Sequence, residues 1–134
     1  MPLKSAKQLV AEAEKEIETW TFGEAKKRLH DPKVLFVDIR DVRELWRLGT
    51  IPGAFHAPRG MLEFWVDPES PYAKEEFQQD RTYVLFCGSG WRSALAAKSL
   101  QDMGFGPVAH IGGGFSEWKG SGGAVEDVKP PQRG

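Results

Sequence analysis

Two short runs of continuous apolar residues constrain the fold of this chain more than any other feature. The first run, VLFVDIR, extends from Val34 to Arg40, and the second, TYVLFC, extends from Thr82 to Cys87. Each run lacks the polar alternation of a half-exposed strand and is bounded by turn residues, which is typical of strands buried on both faces. Because parallel strands are joined by crossovers that cover a sheet with helices, the two runs predict an α/β domain.

Helical patterns separate these apolar runs. Ser5 and Thr21 each begin a capping-box sequence, and apolar residues recur at helical spacing after Ser5. Further helices are predicted in residues 41–49, 59–80, 93–104 and 114–120, and further short strands in residues 50–58 and 107–113. The segment 59–80 is predicted to be two helices interrupted by the turn sequence DPESP. The alternation predicts a mainly parallel sheet with helices on both faces.

The composition argues against several classes of function. The formal net charge is −1, so we expect no nucleic-acid partner and no membrane partner. The charged N-terminal segment lacks the apolar run of a signal peptide, and no segment approaches the length of a membrane span. Cys87 is the only cysteine and the three histidines are scattered, which predicts a cytoplasmic protein without an intramolecular disulfide, a metal or another cofactor.

Cys87 occupies a position at which open α/β sheets bind ligands, because it ends a predicted strand just before a helix that starts near Ser93. The loop between them consists of Gly88, Ser89, Gly90, Trp91 and Arg92. Glycines let successive backbone N–H groups point toward one centre, and the helix N-terminus and Arg92 add positive charge. These features favour the thiolate and predict a nucleophile that needs no separate base. The alternative is a small buried apolar cysteine.

Three segments in register resemble a single-domain rhodanese, a sulfurtransferase of the thiosulfate family. They are FVDIRDVRELWRLGTIPGAFHAP, YVLFCGSGWRSALAAKSLQDMGF and VAHIGGGFSEWKG, in the order and spacing of that family. The resemblance implies a three-layer rhodanese-like domain over residues 19–120, with a central five-stranded sheet and helices on both faces. Residues 1–18 are then an N-terminal amphipathic helix extension, and residues 121–134 are a flexible C-terminal tail.

The resemblance implies sulfur transfer through a persulfide on Cys87. The thiolate would attack the outer sulfur of a small anionic donor such as thiosulfate, and a thiol or cyanide would then remove that sulfur. The backbone N–H groups of the loop would stabilise the persulfide anion, and Arg92 would steer the donor. A persulfide carrier is an alternative, in which the loop delivers sulfur to a protein acceptor.

A phosphatase or arsenate reductase of the same fold is a less favoured interpretation. Those relatives have one residue more between the cysteine and the arginine than the four residues from Gly88 to Trp91 in this chain. The shorter loop suits a single sulfur atom better than a tetrahedral oxyanion, although a ring of N–H groups suits either anion.

Other residues that match the family, or lie near the predicted site, receive supporting roles. Asp38 and Arg40 are expected to form an ion pair that fastens the strand to a loop beneath the site. Thr50 stands where the family usually has histidine, which puts in doubt any polar contact of that histidine. Arg59, on a helical insert, is predicted to be a second cation for donor anions. Trp91 has two interpretations, a contact with the incoming donor or an anchor of the loop.

Two features allow more general predictions. The glycine triplet Gly112–Gly114 lacks the Lys-Ser/Thr of a nucleotide-binding loop, and the resemblance implies that it starts the last helix, with Trp118 packed inward. The first helix has an apolar stripe that either the domain's own core or a second subunit must cover, so both a monomer and a homodimer are open.

Overall fold

The computed structural model describes residues 2–132 and contains a five-stranded parallel sheet. Its strands are β1 (Glu18–Trp20), β2 (Val34–Asp38), β3 (Phe55–His56), β4 (Thr82–Phe86) and β5 (Val108–Ile111). The strand order is β1-β5-β4-β2-β3, and each neighbouring pair is parallel. The two apolar runs supply β2 and β4, which are adjacent in the middle of the sheet. The predicted α/β architecture is confirmed.

Helices surround this sheet. They are α1 (Ala6–Glu14), α2 (Phe22–Lys27), α3 (Val42–Leu48), α4 (Leu62–Val66), α5 (Trp91–Asp102) and α6 (Gly114–Gly120). The Ser5 hydroxyl accepts a hydrogen bond from the Gln8 amide at 3.1 Å, and Thr21 and Glu24 form a reciprocal capping box. These caps confirm the predicted starts of α1 and α2. Within residues 2–132, none of the helices has the length and apolar character needed to cross a membrane.

The hydrophobic core has one half on each face of the sheet. Leu85 and Cys87 belong to the half that packs against α1, α4 and α5. Val84, Phe86 and the fully buried Trp118 belong to the half that packs against α2 and α6. Because successive side chains of a strand point to opposite faces, Cys87 is directed to the same face as α5.

The structure differs from the sequence prediction at two elements. The pattern did not predict β1, because only one of its three residues, Trp20, is buried. The second helix predicted within residues 59–80 is wrong, since the segment after DPESP contains only a 3₁₀ turn, Glu75–Phe77. There the Tyr83 hydroxyl donates to the carbonyl oxygen of Glu76 at 3.1 Å, and this tertiary contact uses an acceptor that a longer helix would need.

Residues near both ends of the chain contact the domain. Val10 and Ala13 of α1 are buried and α1 packs on α5, so the domain's own core covers part of the predicted apolar stripe. Near the other end, Glu126 forms an antiparallel bridge with Thr50, and the Trp118 indole donates to the carbonyl of Ala124 at 2.7 Å. Residue 1 of the predicted extension and residues 133 and 134 of the predicted tail lie outside the described residues.

Candidate active site

Cys87 lies immediately after β4 and before the loop that enters α5. The residue is only 1% exposed, and its Sγ accepts hydrogen bonds from the backbone N–H groups of Gly90 at 3.2 Å and Ser93 at 3.4 Å. Both groups belong to the start of α5, where N–H groups have no intrahelical partner and the helix dipole favours negative charge. This arrangement stabilises an anionic sulfur.

The last helix supports the backbone of the loop from behind. The N–H groups of Phe115 and Ser116 donate to the carbonyl oxygens of Cys87 at 2.8 Å and Gly88 at 3.0 Å. In a trans peptide the N–H points opposite to the C=O, so the N–H groups that follow these carbonyls point away from α6. Gly114 has a φ of +64°, and a Cβ there would lie 2.6 Å and 2.7 Å from the same two carbonyl oxygens. The sequence prediction missed this support.

Gly90 gives the loop its tight curvature. Its φ is +103°, a left-handed conformation that residues with a Cβ rarely adopt. A Cβ at this position would also overlap the carbonyl oxygen of Gly112. A Cβ on Gly88 would lie 3.2 Å from Nη2 of Arg92, a tight contact that a small shift of the arginine would relieve. Ser89, between these glycines, is exposed.

Arg92 is held beside the loop by Glu44 of α3. Its Nη1 and Nη2 donate to the two carboxylate oxygens at 2.8 Å and 3.1 Å. These hydrogen bonds lower the pKa of Glu44 and raise the pKa of Arg92, and the nearby Cys87 sulfur raises the pKa of Arg92 further. Glu44 matches the family segment, but its contact with Arg92 was not predicted, because the two residues are 48 positions apart.

Trp91 is the first residue of α5 and is 49% exposed. About half of the side chain is therefore covered and half is accessible. A contact with a molecule that arrives at the loop and an anchoring role in the loop both stay predictions.

Asp38 and Arg40 form a fully buried ion pair at the end of β2. Arg40 donates to the Asp38 carboxylate at 2.9 Å through Nε and at 2.7 Å through Nη2, which also donates to the carbonyl of Gly49 at 2.7 Å. The Thr50 hydroxyl donates to Asp38 at 2.7 Å. Threonine thus supplies a polar contact where the family usually has histidine, and the pair fastens β2 to the segment after α3.

Arg59 is placed in a different environment from Arg92. Its Nη1 donates to both carboxylate oxygens of Glu63 at 2.9 Å, and the Ser99 hydroxyl donates to Glu63 at 2.7 Å. Burial alone would raise the pKa of Glu63, but the hydrogen bonds from Ser99 and Arg59 outweigh it and lower the pKa. Arg59 lines a groove between α1 and α5. Among residues 2–132 no hydrogen bond joins it to the Cys87 loop, and its contact with the donor stays a prediction.

His110 of β5 is a buried histidine behind the loop. Its Nδ1 lies 2.9 Å from Oγ of Ser93, and its Nε2 lies 3.2 Å from Oγ1 of Thr19 in β1. Burial lowers the pKa of His110 to about 4, so the imidazole is neutral at physiological pH. The sequence prediction treated this histidine as one of three scattered residues, because its partners are 17 and 91 positions away.

The fold and the site define a class of small α/β domains that direct backbone N–H groups at a cysteine sulfur where a parallel strand ends and a helix begins. Residues 21–121 match the rhodanese-like domain family, and this chain belongs to that family. The family resemblance in the sequence is therefore confirmed.

Individual relatives agree with this assignment. The mouse (Mus musculus) thiosulfate sulfurtransferase/rhodanese-like domain-containing protein 3 is 27% identical over 73% of this chain, which spans just under two thirds, 66%, of that relative. The polysulfide-sulfur transferase homodimer from Wolinella succinogenes is 29% identical, with a TM-score of 0.68 over 91% of this chain and 87% of that chain.

A third similar structure has a different description. A Rhodopseudomonas palustris protein is 51% identical, with a TM-score of 0.89 over 94% of this chain and 99% of that chain. It is described as a protein of unknown function and a possible tyrosine phosphatase. Sulfur transfer and phosphate chemistry must therefore both be compared with the geometry of the site.

Proposed function

We propose that this protein is a sulfurtransferase that carries a sulfane sulfur as a persulfide on Cys87. The observation that carries the proposal is the contact of Sγ with the N–H groups of Gly90 and Ser93 at the start of α5. Rhodanese-like relatives that are named sulfurtransferases support sulfur-transfer chemistry in general. The same N–H groups that stabilise a thiolate would stabilise the negative charge of a persulfide.

The reaction moves electron pairs between sulfur atoms and needs no resident cofactor. The Cys87 thiolate attacks the outer sulfur of a donor such as thiosulfate, a new S–S bond forms, and the donor's S–S bond breaks to release sulfite. An acceptor thiolate or cyanide then attacks the outer persulfide sulfur and releases the Cys87 thiolate. Arg92 provides positive charge at the rim of the loop, where the anionic donor approaches.

Intact mass spectrometry tests this proposal directly, because Cys87 is the only cysteine in the chain. After treatment with thiosulfate, the wild-type protein should gain the mass of one sulfur atom, and cyanide should remove it. The Cys87→Ser variant is the control and should gain nothing. A wild-type protein that gains no sulfur, or a gain that persists in Cys87→Ser, would contradict the proposal.

A phosphatase is the second candidate, because of the description of the Rhodopseudomonas palustris relative. The length of the loop favours sulfur transfer instead. The loop has four residues between Cys87 and Arg92, which suits a single sulfur atom better than a tetrahedral phosphate. We expect no hydrolysis of an aryl phosphate and no reduction of arsenate, and either activity would favour the second candidate.

A persulfide carrier differs from an enzyme in its partner rather than in its loop. Rapid turnover with thiosulfate and cyanide supports the enzyme, whereas slow turnover with rapid delivery to a protein acceptor supports the carrier.

The location that we propose for this protein is the cytoplasm, since the free Cys87 thiol suits a reducing compartment.

The oligomeric state is open to a direct test. The Wolinella succinogenes relative is a homodimer. Light scattering would distinguish a monomer from a homodimer of this chain.

A further inference from the structure

Hydrogen-bonding groups form a chain from Cys87 to the edge of the sheet. Sγ of Cys87 lies 3.6 Å from Oγ of Ser93, which lies 2.9 Å from Nδ1 of His110. Nε2 of the same imidazole lies 3.2 Å from Oγ1 of Thr19. Cys87, Ser93 and His110 are buried, whereas Thr19 is exposed on the edge strand β1. These contacts therefore connect the buried sulfur to an exposed residue at the edge of the sheet.

The Ser93 hydroxyl has one proton and three acceptors within reach. These are Sγ of Cys87, Nδ1 of His110 and the carbonyl oxygen of Gly90, which lies at 3.3 Å. A neutral imidazole carries one proton, on either nitrogen. When Nδ1 is unprotonated, it accepts the hydroxyl proton. When Nδ1 is protonated, it donates to Oγ and leaves the hydroxyl proton free to point at the sulfur.

We propose that His110 is a positioning residue for Cys87, which acts through Ser93 to direct a hydroxyl proton at the anionic sulfur. The inference rests on the proposed function and adds to it a residue that sets the charge state of the nucleophile. A hydrogen bond to a charged acceptor contributes more than one to a neutral acceptor, so this contact favours the thiolate over the thiol.

The proton that the Cys87 thiol loses can pass to solvent through the hydrogen-bonded groups of Ser93, His110 and Thr19. The S–H proton moves to Oγ of Ser93, whose own proton moves to Nδ1 of His110. The proton on Nε2 moves to Oγ1 of Thr19, which releases its own proton to water. One proton leaves the sulfur, one proton enters water, and His110 is neutral before and after. Burial disfavours the imidazolium form, as the lowered pKa of His110 shows, and a neutral exchange is consistent with that.

The charged side chains near Cys87 lie on elements other than β5, the strand that carries His110. Arg92, with Glu44 bound to it, is the cation whose pKa the sulfur raises. The Asp38–Arg40 pair at the end of β2 is joined at 2.7 Å, and Nη1 of Arg40 has no hydrogen-bond partner among residues 2–132. Burial accounts for the lowered pKa of His110, without a contribution from a charged side chain. The effect of His110 on the sulfur can therefore be measured apart from that of Arg92.

The test is the pH profile of thiolate formation, followed by the ultraviolet absorbance of the thiolate in the 134-residue protein, with Cys87→Ser as the blank. His110→Leu removes both ring nitrogens and should raise the pH midpoint by about one unit, which means about tenfold less thiolate at pH values below both midpoints. His110→Asn places an amide near the position of Nδ1 and should recover most of this shift. Thr19→Val is the matched control and should shift the midpoint less, because water can replace an exposed hydroxyl.

Each variant can overturn the proposal. A folded His110→Leu protein with a wild-type midpoint would make His110 a purely structural residue. Ser93→Ala should shift the midpoint at least as far as His110→Leu, and an unchanged midpoint would break the chain. If His110→Leu does not fold, His110→Ala takes its place, because it also lacks both ring nitrogens, and an unchanged midpoint in that variant would overturn the proposal. Failure of the wild-type protein to take up sulfur would refute the proposed function alone, since the thiolate midpoint is measured without a sulfur donor.

Discussion

Two arginine–glutamate pairs of similar length lie in two different regions of this molecule. In the loop region, which comprises residues 87–93 with Glu44 and His110, Arg92 binds Glu44 at 2.8 Å. In the groove region between α1 and α5, Arg59 binds Glu63 at 2.9 Å. Arg92 interacts with the Cys87 sulfur, whereas Arg59 has no hydrogen bond to the loop within residues 2–132.

The comparison of these two ion pairs shows that the charge of a paired arginine is not enough to identify an active site. Both pairs are partly exposed, and such pairs contribute little to stability. What distinguishes the loop region is the backbone around it: a strand end, a helix start and N–H groups directed at one sulfur. The loop region also has a buried titratable group, His110, behind it.

The largest expected difference between the two regions is in the loss of stability at acidic pH. The pKa of His110 falls from 6.5 to about 4 on folding, so between these values the unfolded chain binds more protons than the folded protein. The free energy of unfolding should therefore fall as the pH falls through this window, by about 3 kcal/mol in total. Urea unfolding at a series of pH values would measure this loss. His110→Asn should lack it and Glu63→Gln should keep it, and an equal loss in His110→Asn would contradict the assignment.

Removal of each arginine is the next test. Arg92→Ala should lower kcat/KM for thiosulfate and cyanide by about a hundredfold, because a positioned cation is lost beside the developing anion. Arg59→Ala is the matched comparison, and a loss of less than about twofold would remove Arg59 from the site, since Glu63 already binds its guanidinium. A raised KM in Arg59→Ala, comparable with that of Arg92→Ala, would instead support Arg59 as a second cation for the donor.

Exchange of each glutamate should have the smallest effect. Glu44→Gln leaves one oxygen acceptor for the two nitrogens of Arg92, so the arginine is held less rigidly but keeps its charge. We expect kcat to fall by about fivefold without a rise in KM, because positioning rather than binding is lost. Glu63→Gln should change neither constant measurably. Steady-state kinetics of both variants provide the comparison, and equal losses would mean that the two pairs are equivalent.

The sequence by itself determined the local features of this protein. Ser5 and Thr21 begin helices because capping hydrogen bonds span only three residues. The apolar runs predicted the two central strands, and the glycine loop after Cys87 predicted where an anionic sulfur would be stabilised. Each of these features depends on residues that are close in sequence, so the residue pattern alone predicts it.

Only the tertiary structure decided which distant residues complete the site. The strand order β1-β5-β4-β2-β3 places β5 between β1 and β4, and so brings His110 between Thr19 and the helix that follows Cys87. The packing of α3 brings Glu44 to Arg92 across 48 positions of sequence. These contacts arise from sheet order and layer packing, which bring together side chains that no local periodicity relates.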